Sequence, residues 1–219
     1  MLMKQYKTLL FDLDGTLADT RPGIINCYDY AFSALDFDIS TVNINECIGP
    51  PLEEVFDRLF GAGEKADRGV LLFRERYEKK GWLECTLFEG IPELLAALSQ
   101  NGYRLLVATS KNEPIAVRVL EYYKLAGYFE LIAGSVRDHK RIKKQDVITH
   151  ALAETGVKAE TALMIGDRMH DLLGAQLTGL DAAGVLWGYG SYEELSSYPH
   201  VLLAQSPQEL LDYLLLGSA

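Results

Sequence analysis

The run Thr8-Leu9-Leu10-Phe11 ends in Asp12-Leu13-Asp14-Gly15, and this abrupt change constrains the fold more than any other stretch of the chain. A short continuous apolar run reads as a strand buried on both faces, the kind found in parallel sheets. Unpaired carboxylates are costly to take out of water, so two at a buried strand end call for a cation, a proton or solvent. Side chains alternate along a strand, so residues 12 and 14 can share one cleft. Gly15 lets the chain turn sharply beside them. Taken alone, the stretch is also compatible with an acidic turn facing water.

Three further apolar runs end in the same manner. Leu105-Leu106-Val107-Ala108 delivers Thr109, Ser110 and Lys111. Leu131-Ile132-Ala133 leads into the basic stretch from His139 to Lys144, and Ala162-Leu163-Met164-Ile165 delivers Gly166-Asp167, with Asp171 one helical turn on. Parallel sheets gather the carboxyl ends of their strands on one edge, where ligands bind. Two carboxylates, a hydroxyl, a lysine and a third carboxylate therefore converge from distant segments. Such a set suits a hard cation, an anion and a nucleophile between them.

From residue 92 onward the pattern alternates: a first helix from Pro92, then strands over 103–108, 130–133, 161–165 and 181–186, with helices over 114–125, 145–155 and 170–178 between them. This βα order predicts a parallel sheet with right-handed crossovers. Ser206-Pro207-Gln208-Glu209 is a capping-box pattern that opens a last helix to about Leu216. Between the first strand and residue 87 the order differs. Thr20 is placed to cap a helix with Pro22 in its first turn, and apolar residues at helical spacing mark three helices without an intervening strand. The expected fold is α/β, a Rossmann-like parallel sheet core (1–15 and 87–219) with an inserted all-helical domain (16–86).

The chain resembles the haloacid dehalogenase-like hydrolase superfamily, in its phosphoglycolate-phosphatase-like branch. Asp12-Leu13-Asp14-Gly15-Thr16-Leu17-Ala18-Asp19-Thr20 is similar to the first motif of that family, Asp-x-Asp-Gly-Thr-Leu-x-Asp-Thr. Thr109 corresponds to the second, Lys144 or Lys143 to the third, and Gly166-Asp167 with Asp171 to the fourth. Gly184-Val185-Leu186-Trp187-Gly188-Tyr189-Gly190-Ser191 is shared with the same branch. The resemblance covers nearly the whole chain and implies a Mg²⁺-dependent phosphatase that hydrolyses a small phosphate monoester through an aspartyl-phosphate intermediate. Its implied roles are Asp12 as nucleophile, Asp14 as general acid and base, and Thr109, Ser110 and Lys144 as phosphate ligands. Mg²⁺ would be held by Asp12, Asp167 and the Asp14 carbonyl, with Asp171 behind them. The helical insertion is implied to be a cap that moves as a lid, hinged near residues 15–16 and 88–90, with the loop Cys47–Leu52 facing substrate. Arg74 or Arg76 could reach a substrate carboxylate. Roles for Arg168 and His170 stay open.

Dehalogenases and phosphonatases of this superfamily replace the second acid of the first motif, so Asp14 favours phosphate esters. A phosphomutase or phosphotransferase would use the same residues. From other classes, a phosphoacceptor signalling domain carries its aspartate on a later strand and lacks a helical insertion, and a non-catalytic interaction protein would not need four competent motifs. The net charge of −10 argues against nucleic acid or an anionic membrane as partner, so an anionic substrate must be drawn by a local positive site. The partner expected is a small phosphorylated metabolite, with the oligomeric state open. Three cysteines without a Cys-x-x-Cys pair, no signal-peptide core and no spanning run make the cytoplasm the expected location.

Overall fold

The computed structural model describes residues 5–48, 50–136 and 141–216. Gly49 of the loop at 47–52, and His139 and Lys140 of the basic stretch, lie outside the described residues. The chain divides into two compact units, Met1–Asp19 with Leu87–Ala219, and Thr20–Thr86.

The first unit is an α/β fold around a six-stranded sheet of order β5-β4-β1-β6-β7-β8. Its strands are β1 (Thr8–Phe11), β4 (Arg104–Asn112), β5 (Leu131–Ser135), β6 (Ala162–Gly166), β7 (Asp181–Val185) and β8 (Leu202–Ala204). Every neighbouring pair runs parallel. β1 sits inside the sheet, with Leu10 level with Leu106 on one side and Met164 on the other, and all four of its residues are buried. This two-sided cover is why β1 reads as an unbroken apolar run. The chain builds outward from β1 through β4 to β5, then returns to lay β6 against β1's other edge. That reversal makes the carboxyl end of β1 a switch point, where an open sheet leaves its ligand crevice.

Helices α4 (Ile91–Gln100), α5 (Glu113–Tyr122), α6 (Lys144–Thr155), α7 (Met169–Thr178) and α9 (Pro207–Leu216) accompany the strands. Val147, Ile148 and Ala151 of α6 and Leu172 and Ala175 of α7 pack with Leu10, Leu106, Met164 and Ala182 in one buried cluster. In α9, Ser206 Oγ accepts from the Glu209 N–H at 3.2 Å, while the Glu209 carboxylate reaches the Gln205 N–H. That return bond falls one residue beyond where a capping box makes it.

β8 and α8 (Tyr192–Ser196) were not anticipated. β8 extends the sheet beyond β7, but three residues are too few to display a period. α8 is a single capped turn, with Ser191 Oγ accepting from the Glu194 N–H. β4 also runs on to Asn112 instead of stopping at 108.

The chain crosses between the units at β2 (Ala18–Asp19) and β3 (Thr86–Leu87), which form a separate two-stranded sheet. The second unit is helical, with α1 (Arg21–Ala34), α2 (Leu52–Phe60) and α3 (Glu64–Lys79). Tyr28 packs against Phe32, Phe56 and Phe73 at centroid distances of 4.8–5.7 Å, tying one helix to the other two. Thr20 occupies the N-cap position of α1 without a side-chain capping bond. No helix among the described residues is long and apolar enough to cross a membrane.

Candidate active site

Asp12 follows the last residue of β1 and is buried, its Oδ1 accepting from the Leu13 N–H at 2.7 Å. Lys144 opens α6 and points inward. Its Nζ lies 3.0 Å from Asp12 Oδ1 and 2.7 Å from Asp171 Oδ1, and donates to the Ala108 carbonyl at 2.8 Å. Burial works against the Lys144 charge, but the two carboxylates outweigh it and hold the ammonium above its ordinary pKa. Lys143, its neighbour, is exposed and sits at the helix N-cap, where its N–H donates to Asp146 Oδ2 at 3.2 Å.

Asp167 follows β6 and is fully buried. Its Oδ1 accepts from the Thr16 hydroxyl at 3.1 Å and its Oδ2 from the Tyr189 N–H at 2.8 Å. Burial, followed by the charges of Asp171 and Asp12, pushes its carboxyl well above the usual range, against the pull of those two donors. Asp171, in the first turn of α7, accepts from the Arg168 N–H at 3.1 Å. Burial raises it to about 6, with Lys144 opposing the rise and Asp12 adding to it. Asp12, Asp167 and Asp171 each place one oxygen within 4.8 Å of the others. Three buried acids against one ammonium form an incompletely neutralised set of hard oxygen donors, which fits a divalent cation such as Mg²⁺.

Backbone without side chains makes room for this cluster. Gly15 has φ +82°, and a Cβ there would lie 2.1 Å from Asp167 Oδ2. A Cβ on Gly188 would fall 2.3 Å from the Gly15 carbonyl and 2.4 Å from Asp167 Cβ. The Gly188-Tyr189 stretch therefore lies directly on Asp167. Around it, Trp187 Nε1 donates to the Thr16 carbonyl at 3.0 Å and the Tyr189 hydroxyl to Asp19 Oδ1 at 3.0 Å. The sequence pattern from Gly184 to Ser191 carried no assigned role, yet it supplies the wall of the acidic cluster.

Thr109 is buried and Ser110 exposed. Thr109 Oγ1 accepts from the Lys111 N–H at 3.2 Å. Asp14 turns toward Lys111, whose Nζ donates to both its oxygens at 2.7 and 2.6 Å. Sequence reasoning assigned Lys111 no role, although its place just after Thr109 and Ser110 at a strand end was the available signal. Arg168 pairs with Glu194 at 2.8 Å, and the Met169 N–H donates to the same carboxylate oxygen. His170 is part-exposed. Arg76 pairs with Glu84 at 2.8 Å and Arg74 with Glu53, so both arginines are engaged within the helical unit.

Residues 9–185 match the family described as haloacid dehalogenase-like hydrolase. The chain belongs to the haloacid dehalogenase-like hydrolase family. It is 42% identical over 196 residues to a 5′-nucleotidase of Pseudomonas aeruginosa, covering 89% of each chain. It is 41% identical over 183 residues to the tyrosine-protein kinase PtkA of Mycobacterium tuberculosis, covering 83% of this chain and spanning 62% of the length of that kinase. Among solved structures, a haloacid dehalogenase-like hydrolase of Streptococcus pneumoniae matches 96% of this chain and 99% of its own, at 34% identity and TM-score 0.89. Both family hallmarks, the acid pair of the first motif and the parallel sheet that presents it, are thus present in one chain.

Proposed function

We propose that this protein is a Mg²⁺-dependent phosphatase that hydrolyses a small phosphate monoester through an aspartyl-phosphate on Asp12. The observation that carries this reading is the buried Lys144 spanning Asp12 and Asp171 beside Asp167, at the switch point of the sheet. Asp12 and Asp167 would hold Mg²⁺ together with the Asp14 carbonyl, while Asp171, paired with Lys144, would stand behind them. Bound there, Mg²⁺ supplies the positive charge that lets a carboxylate approach a phosphoryl group.

An Asp12 oxygen attacks phosphorus, and the bond from phosphorus to the ester oxygen breaks. Asp14, as the carboxylic acid, gives its proton to the departing alkoxide. Asp14 then takes a proton from water, whose oxygen attacks the phosphorus of the aspartyl-phosphate, releasing inorganic phosphate and restoring Asp12. Proton transfer of this kind contributes about 10²–10⁴-fold. Lys144 and the Thr109 hydroxyl stabilise charge on the phosphoryl oxygens as it spreads in the transition state. Ser110, exposed beside Thr109, stands as the outer phosphate ligand.

The likeness to a relative named a 5′-nucleotidase, along nine-tenths of both chains, supports nucleoside monophosphates as candidate substrates beside phosphoglycolate. The unit at Thr20–Thr86 acts as the cap that discriminates among esters, so changes at Pro50 reorder kcat/KM across a panel more than they alter the chemistry. Three buried free thiols support a reducing, cytoplasmic setting. A second reading, phosphoryl transfer to a hydroxyl other than water, is supported by the likeness to PtkA. A screen of small phosphate esters with and without EDTA tests the proposal. Chelator-sensitive phosphate release supports it, and release of phosphate only to an added acceptor favours the transferase. Absence of turnover on every ester defeats both.

A further inference from the structure

Strand β4 reaches the site through an irregularity. Its register against β5 passes from Ala108 opposite Ala133 to Asn112 opposite Ser135, so four residues of one strand advance against two of the other. The surplus residues lie in Thr109-Ser110-Lys111. A bulge of this sort bends a strand and re-aims its side chains, and such bulges concentrate beside active sites. The facing residue on β5 is Gly134, where a Cβ would fall 2.6 Å from the Lys111 carbonyl and 2.6 Å from Glu113 Cα. Any side chain there collides with the displaced backbone. The Lys111 N–H is held at the same time by Thr109 Oγ1.

The outcome is that Lys111, with a side chain only 5% exposed, grips both oxygens of the Asp14 carboxylate. Two short bonds, one to each oxygen, hold the carboxylate's position more firmly than a single bond would. Asp14 itself is 24% exposed and stands just before the turn at Gly15, so its own surroundings constrain it less.

We propose that Lys111 is the positioning residue for Asp14, with the β4 bulge and Gly134 serving to bring it there. This rests on the reading of Asp14 as the acid and base of phosphate-ester hydrolysis. Lys111 then matters in proportion to how much a substrate needs a proton on its leaving group, and it does so only through Asp14.

The test compares Lys111→Met, Lys111→Arg and the wild type on an alkyl phosphate, whose alkoxide must be protonated, and on p-nitrophenyl phosphate, whose phenolate leaves without help. Lys111→Met is expected to lower kcat on the alkyl ester at least about tenfold more than on the aryl ester, with KM held within about threefold. Lys111→Arg, able to make the same two-point contact, keeps the wild-type ratio. In an Asp14→Asn background Lys111→Met adds less than about a twofold loss, because the coupled partner is already gone. Equal losses on both esters, a rise in KM alone, or a full additional loss in the Asp14→Asn background would each overturn the proposal. Lys111→Gln replaces Lys111→Met if melting curves show the latter unfolded. Metal-free crystals of the same variant give a readout that needs no turnover: Asp14 is expected to swing away, and an unmoved carboxylate refutes the positioning role. An inactive wild type would defeat the phosphatase reading while leaving this structural arm decisive.

Discussion

Lys144 and Asp171 form an ion pair 2.7 Å apart, with side chains 3% and 1% exposed. The same ammonium also lies 3.0 Å from Asp12, so one lysine balances two of three clustered acids. Removing a single partner from a buried pair costs about 3–5 kcal/mol, because the charge left behind has neither water nor a counter-ion. Lys144→Ala should therefore lower stability by that order in EDTA and abolish most turnover. Lys143→Ala, at an exposed position, should stay within about 0.5 kcal/mol and keep near-normal rates. Melting curves and steady-state rates on the two variants check this, and similar losses for both would show that Lys144 is not the phosphoryl ligand.

Asp12→Asn should leave the fold intact and reduce turnover on the order of 10³-fold or more, since an amide does not attack phosphorus. Asp14→Asn should cost about 10²–10⁴-fold on alkyl esters and less where the leaving group needs no proton. Rapid quench with labelled ester reads the difference: Asp14→Asn can still accumulate phosphoenzyme, whereas Asp12→Asn cannot. Retention of several per cent of the wild-type rate by Asp12→Asn would remove it as nucleophile.

The acidic cluster should also govern how stability depends on pH and metal. The folded-state values of Asp167 and Asp171 are raised from 3.8, for Asp171 to about 6. An acid raised on folding binds more protons in the native state, so its contribution is present below pH 4 and is lost as pH climbs through the folded value. For Asp171, facing Asp12, Asp167 and Lys144, that loss spans about pH 4 to 6, and Asp167 contributes in the same direction. In EDTA the wild type should thus lose more stability as pH rises above 4 than Asp167→Asn does. Mg²⁺ should reverse the loss, by about 2.7 kcal/mol at a hundredfold excess over Kd. Calorimetry showing no Mg²⁺ shift, or the opposite pH slope in the wild type than in the variant, would count against a cation at this cluster.

Gly188→Ala forces a Cβ against the Gly15 carbonyl and Asp167. Overpacking of this kind costs about 1–3 kcal/mol, and displacing Asp167 should raise the Mg²⁺ concentration needed for half-maximal rate. Gly127→Ala, where a Cβ meets nothing within 4 Å, is the control and should be close to neutral. A neutral Gly188→Ala would mean that the loop after β7 yields easily and does not shape the cluster.

The sheet was readable because its strands are buried on both faces. Residues 8–11, 105–108 and 162–165 are unbroken apolar runs, and each is followed by the group it presents. β8 was not read as a strand: its three residues, Leu202–Ala204, are too few to display a period, and they join the sheet by bonding to β7. The helical stretch between residues 20 and 86 stood out by its period, whereas the pairing of Arg76 with Glu84 depends on how the chain folds back after α3.

What the sequence determined by itself was the chemistry at each strand end, because an apolar run that stops at an acid or a hydroxyl is a local pattern. Which neighbours those groups meet was decided by tertiary structure alone. Lys143 and Lys144 are adjacent and chemically identical; the turn of α6 over the sheet buries one and leaves the other in water. Asp14 and Lys111 are 97 positions apart, and only a strand bulge admitted by Gly134 on the next strand brings them together. Contacts of this range depend on register and packing, whose energies are shared among many residues and written in no single stretch of chain.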